Sequence, residues 1–128
     1  MKQLFTTLLA MLGLCSACQG QEIPTLEPQA YEEAFSTDTD AVLIDVRQPD
    51  EYAEGHLSGA QLLNVLDEPN FQAGIAALDK SKHYYIYCRS GRRSHNAATQ
   101  MKALGLQVTD LKGGITAWQA AGKPVVKD

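Results

Sequence analysis

The sequence is poor in the residues that usually announce a chemistry. Of its 128 residues only three are cysteine, three histidine and one tryptophan. The histidines, His56, His83 and His95, are dispersed without metal-ligand spacing, so no metal is expected and none of the three is read as catalytic. Positive charge is not in surplus either: 11 basic side chains stand against 15 acidic ones. A nucleic-acid binder would carry a basic footprint, so any anion this chain holds must be held locally. No apolar run reaches the roughly 20 residues that a permanent membrane span needs.

What is present is arranged in an order. The opening stretch MKQLFTTLLAMLGLCSACQG places Lys2 before an apolar core, Leu4 to Leu14, and ends it in small residues, which is the pattern of an export signal. Residues 1–17 are read as a signal peptide. Residues 18–28, polar and broken by Pro24 and Pro28, read as a tether with a short strand around Ile23 to Leu26. Residues 29–126 have the length and composition of one globular domain.

Small residues followed by Cys18 resemble a bacterial lipobox, although Cys15 stands where that pattern prefers an aliphatic residue. The resemblance implies lipid on Cys18, loss of Cys15, and a periplasmic domain held at a membrane. The outer membrane is favoured because Gln19 is not the aspartate associated with inner-membrane retention. Ordinary cleavage after Ala17, giving a soluble periplasmic protein, is the alternative. In the lipidated form Cys88 is the sole free thiol of the mature chain, and an unpaired cysteine in an oxidising compartment is a liability unless it has a use.

From Gln29 onward, short apolar runs alternate with helical patterns. AVLIDV, AQLLNV, HYYIYC and LQVTDL read as strands. YEEAF, PDEYAEG, NFQAGIAAL, RRSHNAATQMKALG and GGITAWQAAG read as helices, with Ala97, Ala98, Met101 and Leu104 on one face and Gly105 as a stop. Apolar strands between helices argue for an α/β fold with a central parallel sheet covered on both faces. In such sheets ligands collect at the carboxyl ends of the strands, which is where Cys88 falls.

The stretch YYIYCRSGRRS gathers three arginines around that thiol. A thiolate is favoured by a helix N-terminus and by nearby cations. Gly91 permits a tight turn in which successive N–H groups converge on one anion, and Arg92 or Arg93 supplies fixed charge. An inert core residue is the alternative for a lone cysteine ending a strand; the Gly-Arg-Arg sequel favours a nucleophile.

Three segments, LIDVRQPDEYAEGHLSGAQLLNV, YIYCRSGRRSHNAATQMKALG and LKGGITAWQAAGKPV, resemble the successive signatures of the rhodanese-like domain family, in order and at family spacing. The resemblance implies that fold, and sulfur transfer through a cysteine persulfide without metal or organic cofactor. It makes Cys88 the nucleophile and Arg89, Ser90, Gly91, Arg92 and Arg93 the loop around the persulfide, with Asp45 and Arg47 near its rim. The implied partners are a small sulfur donor such as thiosulfate and a thiol or cyanide acceptor; nucleic acid is not among them, and a monomer is expected. Glu51 stands where some two-domain relatives carry a basic substrate-binding residue.

Within the same resemblance the alternatives are a non-catalytic regulatory module, against which Cys88 is intact, and a phosphatase or arsenate reductase. A phosphatase loop has five residues between cysteine and arginine, and that arginine position is Ser94 here. A thiol-redox protein would be expected to place a second cysteine near Cys88. His56 is read as a turn or hydrogen-bonding residue, Asp45 as structural or substrate-contacting with equal weight, and Trp118, one turn from Ile115, as core.

Overall fold

The computed structural model describes residues 22–127; the signal peptide expected at 1–17 and the Cys18 lipid site lie outside them. The elements run β1 (Thr25–Leu26), α1 (Pro28–Thr37), β2 (Ala41–Asp45), α2 (Pro49–Glu54), β3 (Gln61–Leu62), α3 (Glu68–Ala76), β4 (His83–Tyr87), α4 (Arg92–Ala103), β5 (Gln107–Leu111) and α5 (Gly114–Ala120). The five strands form one parallel sheet in the order β1-β5-β4-β2-β3. Helices cover both faces.

Period-2 alternation along the central strand decides which side chain goes where. Tyr84, Ile86 and then Cys88 point to the face covered by α3 and α4, where they join Phe71, Ile75, Ala97, Ala98 and Met101. Tyr85 and Tyr87 point to the other face, with Tyr31 of α1 and Ile115 and Trp118 of α5. Phe71 and Ile75, one turn apart on α3, are 0% and 1% exposed, and each such burial contributes about 1.5–3 kcal/mol. Trp118 lies in the core, as expected, and its indole N–H donates to the Pro124 carbonyl at 2.9 Å.

Three helices begin with proline in their first turn, Pro28, Pro49 and Pro69, where the missing N–H leaves no intrahelical bond unmade. The helix α2 is further fixed by a capping box: Gln48 at the cap and Glu51 at the third position bond each other's backbone.

Three boundaries differ from the sequence reading. The short strand expected inside the 18–28 segment is Thr25–Leu26, which pairs with Asp110 and Leu111 of β5, so that part of the segment belongs to the sheet edge and the ordered fold starts before residue 29. The strand expected over AQLLNV is only Gln61–Leu62. Beyond it, Leu63 and Val65 still donate to the carbonyls of Asp45 and Val46, but as a bent connection rather than a ladder. Leu104 caps the end of α4 and is 41% exposed rather than packed with Met101.

Candidate active site

Cys88 is the first residue after β4, so its side chain leaves the carboxyl end of the central strand, and it is 1% exposed. The chain then turns through Arg89, Ser90 and Gly91 into the 12-residue α4. Gly91 sits at φ 111°, on the positive side that a side chain disfavours. This conformation aims its N–H at Cys88 Sγ, 3.0 Å away. The sulfur therefore lies at a helix N-terminus with a backbone donor already on it.

The loop is held from behind by α5. Ile115 N–H donates to the Cys88 carbonyl at 2.9 Å and Thr116 N–H to the Arg89 carbonyl at 3.1 Å. Gly114 makes this approach possible: at φ 61°, a Cβ on it would stand 2.5 Å from the Cys88 carbonyl oxygen and would overlap the Arg89 carbonyl as well.

Of Arg92 and Arg93, the two expected sources of fixed charge, Arg93 pairs its guanidinium with Glu51: Nη1 to Oε1 at 2.7 Å and Nη2 to Oε2 at 2.9 Å. The physical reason is the position of α2, whose capping-box glutamate faces the start of α4. The hydrogen bonds from Arg93 bring the Glu51 carboxyl down to about 2. In return Glu51 holds the Arg93 guanidinium above the ordinary arginine value, with the Cys88 sulfur acting in the same direction. Arg89 reaches Glu51 more loosely, at 3.4 Å, with an exposed side chain. Arg92 and Ser90 are exposed.

Asp45 and Arg47 form a buried pair. The guanidinium of Arg47 donates through Nε and Nη2 to the Asp45 carboxylate, at 2.7 Å for the shortest contact, and through Nη2 to the Gly55 carbonyl at 2.7 Å. Burial lowers the Arg47 value, but the Asp45 bonds outweigh it and leave the guanidinium raised. Asp45 is 0% exposed, and its carboxylate also accepts the Tyr87 hydroxyl at 2.8 Å. Of the two readings for Asp45 the observed contacts fit the structural one, and the pair meets solvent through Arg47. Tyr87, which the sequence reading passed over as an apolar strand residue, joins the loops: its hydroxyl accepts the Leu57 N–H at 3.1 Å, and burial drives it far above the usual tyrosine value.

Arg47, Glu51, Arg89, Thr116 and Gln119 are among the residues lining a cleft of about 260 Å³ at this end of the sheet. Thr116 and Gln119 were not foreseen; the only signal for them is that they follow a Gly-Gly pair leading into the last helix. His56 is buried, its ring stacked on Tyr52 at 3.7 Å between centroids and its Nδ1 hydrogen-bonded with the Tyr52 carbonyl at 2.9 Å, in keeping with a hydrogen-bonding role. His83 lies at the opposite end of β4, between Asp38 and Thr109. Ser94 is 0% exposed and donates to the Gly91 carbonyl at 3.3 Å. Among the described residues, no group of three or more His, Cys, Asp or Glu is placed to hold a metal ion.

Both the sequence and the fold have counterparts among known proteins. The sequence matches the rhodanese-like domain over residues 27–121. It is 31% identical over 102 residues to a sulfurtransferase of Allochromatium vinosum, covering 79% of this chain and 92% of that protein. It is 35% identical over 80 residues to the thiosulfate sulfurtransferase GlpE of Stutzerimonas stutzeri, covering 62% of this chain and 71% of that one. The fold superimposes on the crystal structure of a rhodanese-related protein from Thermoplasma volcanium with a TM-score of 0.73 and 26% identity, over 82% of this chain and 99% of the other. The chain therefore belongs to the rhodanese-like domain family, which includes sulfurtransferases among its relatives.

Proposed function

We propose that this protein transfers a sulfane sulfur from thiosulfate, or a donor of similar chemistry, to a thiol or cyanide acceptor through a persulfide on Cys88. The observation that carries the reading is the Gly91 N–H held 3.0 Å from Cys88 Sγ at the start of α4. A donor there stabilises a negative sulfur, and both half-reactions begin or end with one.

The Cys88 thiolate attacks the outer sulfur of thiosulfate. One S–S bond forms as the S–S bond of the donor breaks, and sulfite leaves with the electron pair. The persulfide carries the remaining negative charge. Acceptor thiolate or cyanide then attacks the outer persulfide sulfur, giving an acceptor persulfide or thiocyanate and returning the Cys88 thiolate. No net oxidation or reduction of the protein occurs over the cycle. Arg89, exposed on the cleft wall, attracts an anionic donor.

Two measurements test this. Intact mass after exposure to thiosulfate is expected to rise by one sulfur atom in the parent protein and not in Cys88→Ser, and the thiosulfate-to-cyanide activity of the folded Ser variant is expected to vanish. Full activity in Cys88→Ser overturns the assignment. Absence of a persulfide in an otherwise folded parent favours a binding module instead.

For location, we propose export and lipid attachment at Cys18, on the signal-like residues 1–17 and the small residues before Cys18. The domain would then work in the periplasm at a membrane surface. No helix among the described residues is long and apolar enough to cross a membrane.

A further inference from the structure

Asp110 is the residue that holds the unpartnered buried side-chain oxygen among the described residues: its Oδ1 has no hydrogen-bond donor. It lies on β5, opposite Ile86 of β4 and Thr25 of β1, and is 3% exposed. By alternation its side chain points to the α4 face. There it meets the first turn of the helix that follows Cys88, with the Ser94 hydroxyl and the Leu111 N–H beside the carboxyl. A buried carboxylate with one oxygen unpaired is costly, so this acid has reason to stay protonated, and burial pushes it up to about 6, against the opposing pull of Ser94 and the Leu111 N–H. The groups facing it are Ser94 and His95 on α4 and, across the sheet, Tyr31 on α1; its register neighbours Ile86 and Thr25 carry no charge.

Ser94 connects this acid to the sulfur. Its hydroxyl donates to the Gly91 carbonyl over a long 3.3 Å, and the same carbonyl accepts the His95 N–H at 3.1 Å. The N–H of Gly91 is the group on Cys88 Sγ. We propose that Asp110 is a positioning residue for the Cys88 loop, its carboxyl competing with the Gly91 carbonyl for the Ser94 hydroxyl proton and so setting how firmly Gly91 presents its N–H to the sulfur.

The two states follow from donor and acceptor inventories. A neutral Asp110 donates its O–H to Ser94 Oγ, which leaves the Ser94 proton for the Gly91 carbonyl; the chain of bonds runs unbroken to the loop. An ionised Asp110 is acceptor only, and a charged acceptor outcompetes a carbonyl. Ser94 then turns to Asp110, the Gly91 carbonyl keeps the His95 N–H alone, and Gly91, without a Cβ, is free to rotate away from the sulfur. The loop thus grips sulfur best at acid pH and loosens as Asp110 ionises.

The test compares rates of Cys88 alkylation by iodoacetamide, and of persulfide formation from thiosulfate, as ratios between variants. The Asp110→Asn amide donates to Ser94 at every pH and mimics the acid form. Its rates are expected to match the parent at about pH 5 and to exceed it about fivefold at about pH 7.5, the worth of one net hydrogen bond. Ser94→Ala, which breaks the relay and keeps the domain testable if the Asn variant fails to fold, should show the reverse: about fivefold below the parent at the acid end and equal to it at the alkaline end. His95, which also bears on the Asp110 carboxyl, is present in all three proteins. A ratio that is flat with pH, or runs the opposite way, overturns the proposal. Only the thiosulfate arm rests on the sulfurtransferase reading. A pH-dependent alkylation ratio without any persulfide would sink that reading and leave this one; a persulfide with a flat ratio would do the opposite.

Discussion

Glu51 holds Arg93 in a two-pronged ion pair, 2.7 and 2.9 Å, across 42 positions of sequence. The pair bolts α2 to the first turn of α4 and masks a cation that would otherwise stand open beside Cys88. With Arg47 balanced by Asp45 as well, Arg89 is left as the exposed cation of the cleft wall, in loose contact with Glu51.

Replacing Glu51 with Gln is therefore expected to act in two opposite directions. Stability should fall by about 1–2 kcal/mol, between the worth of an exposed pair and a buried one, while the released charge of Arg93 should lower the KM for thiosulfate and steepen its dependence on ionic strength. The sign with pH follows from the depressed carboxyl: its stabilising effect is complete above the ordinary glutamate value of 4.5 and is lost as pH falls toward about 2. Urea midpoints of parent and variant should converge at the acid end. A KM that rises at low salt would show that Glu51 assists the donor rather than screening the cleft from it.

The glycine on α5 gives a sharper case. Gly114→Ala places a methyl group against the backbone carbonyls of Cys88 and Arg89, neither of which can swing aside as a side chain would, and does so at φ 61°. Strain and overlap together should cost roughly 2–4 kcal/mol, and the loop should shift relative to Gly91. The expected outcome is a folded protein with a lower melting temperature and persulfide formation slowed beyond what the unfolded fraction explains. Parent-like turnover in the variant would mean that the loop does not depend on its seat on α5.

Much of this architecture was legible because it rests on local pattern. Short apolar runs gave β2, β4 and β5, and the run ending in Cys88 followed by glycine placed the thiol at a strand end before a helix. What stayed hidden was pairing at a distance. Glu51 with Arg93, and Tyr87 with Asp45 and Leu57, join residues tens of positions apart, and neither pairing leaves a periodic trace. Tyr87 reads as one more apolar strand residue until its hydroxyl is seen between two loops. Asp110 is concealed the same way, as a single acid in VTDL whose significance lies in the donor it lacks. Leu104 misled because helical spacing marks a face but not where the core stops covering it.

The N-terminal residues make a prediction independent of the fold. If Cys18 is acylated, the mature protein should fractionate with membranes, its N-terminal peptide should carry the lipid mass, and Cys18→Ser should release the domain without loss of sulfur transfer, since residues 22–127 hold the whole candidate site. A single chain would bind only weakly, so stable fractionation implies more than one. A soluble periplasmic form with unmodified Cys18 at its N-terminus would remove the lipid and keep the export.

Asp110 also sets an expectation for stability that is separate from its effect on the loop. Its folded carboxyl lies near 6, above the ordinary aspartate value of 3.8, because burial disfavours the charge. A carboxyl raised on folding means that the unfolded chain ionises first. The stability linked to this group is thus fully present below about pH 4 and is lost as pH climbs through about 6. At neutral pH the native state carries a buried charge, at a cost of order 2–3 kcal/mol for a shift of this size. Asp110→Asn removes that charge while keeping the shape, so its urea midpoint should exceed the parent's at neutral pH and coincide with it at the acid end. An Asn variant less stable than the parent at neutral pH would mean that burial of the charge is not what raises the acid.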